Sequence, residues 1–174
     1  MLQAFFHHPR RVFGAIALLC LAMLAFGILY LQNVVGLVPC PMCIVQRYCL
    51  IIVGVFCAIA AFCKGPRGWR LWGLLAVGVA GFGAFTAARQ SWLQWNPPEF
   101  ATCGRDLYGM IESFPLQRAI PMIFKGSGDC SAVDWTVLGG TIANWSFVAF
   151  VIFIVVILAT LLKAPTPRHL VMPR

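Results

Sequence analysis

Asn144-Trp-Ser-Phe-Val-Ala-Phe-Val-Ile-Phe-Ile-Val-Val-Ile-Leu-Ala-Thr-Leu-Leu162 carries no charged side chain. Its length is that of a bilayer crossing, which takes about 17–25 predominantly apolar residues. Working outward, no Lys, Arg, Asp or Glu lies between Asp134 and Lys163. Three further uncharged intervals separate Arg11 from Arg47, Arg47 from Lys64, and Arg70 from Arg89. The first is long enough for one helix plus a short connection through residues 36–41. The spacing predicts four transmembrane helices near residues 12–30, 43–63, 71–91 and 144–162. Backbone polar groups in lipid must find partners within their own segment, so helices are the expected form.

Composition agrees. Of 174 residues, 61% are apolar and 10% charged, and the mean hydropathy is +0.87. A water-soluble domain of this size leaves too much surface exposed to hide so much apolar side chain. The expected fold is therefore an all-α membrane protein: one integral membrane domain over 1–174, built as a four-transmembrane-helix bundle. The alternative for the first run is a cleaved signal peptide, since Arg10 and Arg11 precede it. Its apolar stretch exceeds a signal core and no Ala-x-Ala site follows.

Charge sets the expected orientation. Eight of the thirteen Lys and Arg fall in the amino tail, in the connection at Lys64, Arg67 and Arg70, and in the carboxyl tail. The positive-inside rule places these on the cytoplasmic side, with both termini. The formal charge of +8 is thus mostly a topology signal. A nucleic-acid partner is not indicated, because the basic residues are split among three short segments rather than gathered on one face.

The opposite side carries a short loop over about 31–39 and a long one over about 92–143, which holds all five acidic residues. A loop of that length is usually functional or disordered. Within it, Pro115–Lys125 mixes apolar and basic residues, and reads either as an interfacial segment or as an ordinary packed loop. Trp92, Trp95, Trp135 and Trp145 flank the helix ends and suit an aromatic belt. On the inner side, Lys64-Gly-Pro-Arg-Gly-Trp-Arg70 reads as a tight connection.

Eight cysteines divide into two kinds. Cys20, Cys49, Cys57 and Cys63 fall inside apolar runs, where a thiol packs as a small hydrophobe. Cys40 and Cys43 frame Cys-Pro-Met-Cys at the head of the second helix, and Pro41 suits a first helical turn. The helix dipole there favours a thiolate. Arg47 follows Cys43 by four residues and Cys40 by seven, which places it on the face of both. A snorkelling anchor is the plainer reading of that Arg. Cys103 and Cys130 lie in the long loop on the same side of the membrane. Taken alone, they read as a structural disulfide, worth ~3 kcal/mol by loop closure. With Cys40 and Cys43 they also allow a four-cysteine zinc site, although no second close pair is present. A c-type haem site is excluded, because Ile44 stands where a His is needed.

Val38-Pro-Cys-Pro-Met-Cys-Ile-Val-Gln-Arg47, Phe100-Ala-Thr-Cys103 and Ser127-Gly-Asp-Cys130 followed by Trp135 resemble the DsbB family over nearly the whole chain. That family comprises bacterial inner-membrane proteins that reoxidise the periplasmic dithiol oxidase DsbA and pass the electrons to quinone. The resemblance implies that the long loop is periplasmic and that a reduced DsbA-like partner attacks a Cys103–Cys130 disulfide, forming a mixed disulfide with Cys103. Cys130 then engages Cys40, freeing Cys43 as a thiolate beside ubiquinone or menaquinone, with Arg47 stabilising the charged species. Each exchange is attack of a thiolate on a disulfide sulfur. One position departs from the pattern. Gln90 stands where some family members carry a His implicated around the quinone, and an amide holds no titratable proton. His7, His8 and His169 lie in the inner tails, so the protons must come from water, another group or the cysteines. Two rivals stay open beside this resemblance: a dedicated oxidase for one thioredoxin-like partner, and a non-enzymatic tetraspan scaffold stapled by Cys103–Cys130.

Overall fold

Proline opens each of the first three helices. The computed structural model describes residues 8–37, 39–96 and 135–163. Helix α1 (Pro9–Ala25) starts at Pro9, α2 (Pro41–Phe62) at Pro41 and α3 (Pro66–Trp95) at Pro66. Proline fits a first turn because its missing N–H has no helical partner there in any case. The fourth helix, α4, runs Ile142–Lys163. All four, the first counted through Gln32, are long and apolar enough to cross a membrane. A two-residue antiparallel hairpin precedes α4, pairing β1 (Thr136–Val137) with β2 (Gly140–Thr141). Its turn uses Leu138 and Gly139, both at positive φ.

The chain is an all-α bundle with helices neighbouring in sequence order. The α1 helix packs on α2, α2 on α3, and α3 on α4, with a smaller α1–α4 contact closing the ring. The helices run past the limits set by charge alone. Most of the 64–70 segment, expected as a connection, is helix from Pro66 onward; Arg67 and Arg70 sit in the first turns. Arg70 stacks its guanidinium 5.3 Å from the Trp69 ring centre. At the other end, Trp92–Trp95 finish α3 rather than beginning a loop. Between α1 and the short connection to α2, residues Phe26–Gln32 form a π-helix, with Asn33 N–H donating to the Ile28 carbonyl five residues back. Such widened turns occur mostly at functional sites.

Small residues on one face of α3 determine how closely the bundle packs. Gly73, Ala76, Ala80, Gly83, Ala84 and Ala87 are all buried, at the spacing that lets membrane helices approach. A β-carbon added at Gly73 would lie 2.9 Å from the Phe13 ring, and one at Gly83 2.6 Å from Phe150. The core they close on contains Phe13 and Ile16 of α1, Val53 of α2 and Phe153 and Ile157 of α4. Cys20, Cys49 and Cys57 belong to this core, and Cys63 ends α2 half-buried. Buried Thr86 and Thr160 donate their hydroxyls to Phe82 and Val156 carbonyls one turn back, so neither leaves a polar atom unsatisfied. Outward-facing Leu18, Leu71, Phe85 and Val155 are exposed, as lipid-facing positions must be.

Candidate active site

Cys40 caps α2. Its backbone is extended, with φ −68° and ψ 160°, and its Sγ accepts the Cys43 N–H at 3.3 Å. Pro41 at the first turn removes one unpaired donor and sets the turn that brings Cys43 back over Cys40. The two sulfurs lie 2.8 Å apart, close enough for a disulfide to open and close with little backbone movement. Cys40 is buried with Met42 and Leu93 in a small apolar cluster, and half-buried Cys43 packs against it. Both sulfurs stand at the positive end of the α2 dipole, which favours a thiolate over a thiol.

An amide answers them from α3. Gln90, only 4% exposed, donates through Nε2 to Cys43 Sγ at 3.2 Å and to Cys40 Sγ at 3.4 Å. Its Oε1 accepts the Gln46 Nε2 at 2.7 Å. Gln90 thus contacts the thiol pair directly. Gln46, on α2, is also buried; sequence reasoning missed it. The signal that would have found it is its place: an uncharged polar residue three positions after Cys43, on the same helical face.

Arg47 is held by the segment that follows α1. Its Nη1 donates to Gln32 Oε1 at 2.8 Å and its Nη2 to the Gly27 carbonyl at 3.3 Å, both partners belonging to the π-helix after α1. The guanidinium is therefore tied across the bundle to the π-helix. It still lines the same cavity as Cys40 and Cys43, so the shared face expected from the spacing holds at the level of the cavity wall.

That cavity, of about 480 Å³, opens between the four helices at the end where Cys40 and Cys43 lie. Apolar walls come from Leu24, Phe26, Leu31, Leu50 and Phe150, and convergent polar groups from Arg47, Gln90 and Gln94. The hairpin forms one rim. Thr141 donates to Gln94 Oε1 at 2.7 Å, the Trp145 indole N–H to the Val137 carbonyl at 3.0 Å, and Trp135 lies against Phe26 at 6.3 Å. Two of the tryptophans expected in an interfacial aromatic belt, Trp135 and Trp145, line the cavity. Mostly apolar hollows of this size with a few placed polar groups are what small-molecule sites look like.

The family model described as disulfide bond formation protein DsbB matches residues 9–160. The chain belongs to the DsbB family. Disulfide bond formation protein B of Paracidovorax citrulli (strain AAC00-1) is 66% identical over 162 residues, covering 92% of this chain and 91% of the relative. The protein of the same name from Acidovorax sp. (strain JS42) is 65% identical over 156 residues, covering 89% and 88%. A more distant relative of that name, from Azoarcus sp. (strain BH72), is 52% identical over 143 residues, covering 81% and 85%. No solved structure matches the chain.

For a DsbB-family chain the structure brings Cys40, Cys43 and Arg47 to one cavity. Cys103 and Cys130, and with them the 97–134 stretch that includes Pro115–Lys125, lie outside the described residues. The zinc alternative needs Cys103 and Cys130 and lies there too. Among the described residues no three His, Cys, Asp or Glu side chains converge.

Proposed function

We propose that this chain is a thiol:quinone oxidoreductase that forms protein disulfides, reoxidising a periplasmic DsbA-like thiol oxidase at the expense of membrane quinone. The observation that carries the reading is a close thiol pair at a helix N-terminus in the wall of a largely apolar cavity. Electrons enter as the partner's dithiol reduces Cys103–Cys130. They move on as that dithiol reduces Cys40–Cys43. Each exchange breaks one S–S bond and makes another, so two electrons and two protons pass per disulfide. The long loop and both cysteine pairs are periplasmic and both termini cytoplasmic, in a bacterial inner membrane; the distribution of Lys and Arg supports this orientation.

The residues present fit a quinone. Its flat ring needs apolar walls and its carbonyl oxygens need N–H donors. Leu24, Leu50 and Phe150 supply the first, Arg47 and Gln90 the second. Quinone, when bound, supplies the acceptor for two electrons and two protons. Cys43 holds the reacting thiolate, stabilised by the α2 N-terminus and by the Gln90 amide N–H. Arg47 stays cationic throughout and favours negative charge in the cavity. Gln90 neither takes nor gives a proton, so among the described side chains lining the cavity the Cys40 thiol is the proton donor beside the Cys43 thiolate, and the remaining proton comes from water.

The test is quinone absorbance as reduced DsbA-like protein is added to the purified chain, with and without Cys43→Ser. Loss of quinone absorbance that requires both Cys43 and the partner is the expected result. A spectrum unchanged by any dithiol partner overturns the relay and leaves the loop-stapled scaffold as the better reading.

A further inference from the structure

A side-chain amide has two faces. One side donates through its NH2 group and the other accepts through its carbonyl, and a half-turn about the last bond exchanges them. The difference matters beside sulfur: a donor stabilises a thiolate, whereas a carbonyl dipole opposes it. Gln90 presents its donor face, with Nε2 at 3.2 Å from Cys43 Sγ and 3.4 Å from Cys40 Sγ. Its carbonyl accepts Gln46 Nε2 at 2.7 Å and, at the longer distance of 3.7 Å, the Cys43 thiol.

We propose that Gln46 is a positioning residue: by occupying the Gln90 carbonyl it holds the Gln90 amide with its donors on the Cys40–Cys43 sulfurs. The inference rests on the functional reading above, in which Cys43 works as a thiolate. Burial gives the arrangement its force. Gln46 and Gln90 are only 6% and 4% exposed, so water does not make good a lost partner. Among the described residues, Arg47 carries the one fixed charge lining this cavity. No described Asp, Glu, Lys or His lines it from α1, α2, α3, α4 or the hairpin. Beside Arg47 and the helix terminus, the orientation of this amide is one means these walls offer for favouring the thiolate. Gln46 lies three residues after Cys43, so one turn of α2 both presents the thiol and sets the polarity of the residue answering it from α3.

The experiment is the pH profile of Cys43 alkylation by iodoacetamide, read by mass spectrometry on the reduced full-length protein in detergent. Variants are Gln46→Leu, Gln46→Glu and Gln90→Leu, singly and combined. A carboxylate at 46 accepts hydrogen bonds only, so it draws the Gln90 NH2 toward itself and turns the carbonyl onto the sulfurs. We expect alkylation at pH 7 to slow about threefold in Gln46→Leu and about tenfold in Gln46→Glu, with the midpoint moving to higher pH. In the Gln90→Leu background, Gln46→Leu produces no further slowing, and Gln46→Glu slows the reaction only by its direct charge effect. Gln46→Met reads the same cycle if Gln46→Leu fails to fold. An unchanged profile in Gln46→Leu or Gln46→Met overturns the proposal, as does equal slowing with and without Gln90. Neither quinone nor partner protein enters this titration. A failed relay therefore shows in the absorbance assay with the unaltered chain, and a failed positioning role shows only here.

Discussion

At the end of the bundle away from Cys40 and Cys43, a β-carbon on Gly73 would lie 2.9 Å from the Phe13 ring and 3.2 Å from Leu161. At the Cys40–Cys43 end the same four helices part around about 480 Å³ of space. The switch follows one helix face. Along α3, buried Gly73, Ala76, Ala80 and Gly83 admit large rings from α1 and α4, and then buried Gln90 and Ser91 take over. In lipid no hydrophobic force draws helices together, so close packing by small residues has to supply cohesion. Concentrating that packing at one end leaves the other free to hold a hollow with polar groups in it. The lesson is a division of labour: stability is built where α3 is smooth, and chemistry where it is not.

The sharpest way to break this comparison is to alter the open end and find the packed end disturbed. Cys43→Ser should abolish partner-driven quinone reduction while leaving thermal unfolding within about 0.5 kcal/mol of the parent, the range of substitutions that remove no packing. A large loss of stability would mean that the thiol pair staples the bundle. Arg47→Met should weaken quinone use about thirtyfold, equivalent to ~2 kcal/mol for a charged hydrogen-bond donor, seen as a raised KM for quinone. If kcat falls and KM does not, Arg47 acts on the reacting sulfur rather than on cavity binding. The reverse experiment is Gly73→Ala. Overpacking against Phe13 should cost about 1–2 kcal/mol of stability and leave turnover per folded molecule unchanged; an altered KM would show that the two ends are coupled. The smallest effect is expected at Trp145→Phe, which removes the indole bond to Val137 and loosens the hairpin rim. Quinone affinity should fall about threefold, the value of one ordinary hydrogen bond; unaltered affinity would remove the rim from the binding site.

Much of the architecture could be read from the chain, because charge cannot hide in lipid. The uncharged intervals located all four helices, and Cys-Pro-Met-Cys located the start of α2. Charge was a poorer guide to length. Arg67 and Arg70 ride on the first turns of α3, Arg67 exposed and Arg70 laid over Trp69, so a limit drawn at Arg70 misses the opening turn. The Gly-Pro of that segment marks a helix start rather than a turn. Arg47 was legible by periodicity, but its partners were not: Gly27 and Gln32 reach it from a π-helix that no residue pattern in Phe26–Gln32 announces. Gln46 was missed for a different reason. A single amide in an apolar run looks like tolerated polarity until its partner is known, and the partner, Gln90, lies 44 positions away in sequence.

Two indole rings at the cavity wall also give the protein an optical gauge of its own. Trp135 and Trp145 line the hollow, whereas Trp69 and Trp72 sit near the far end of α3, whose 30 residues span about 45 Å. Once Trp92 and Trp95, which end α3 beside the cavity without lining it, are replaced by Phe, intrinsic fluorescence divides into an emission that senses what enters the cavity and one that reports only whether the bundle is folded. An electron-poor ring entering the hollow should dim the first by contact and leave the second bright, so occupancy and integrity can be followed in one cuvette without a label.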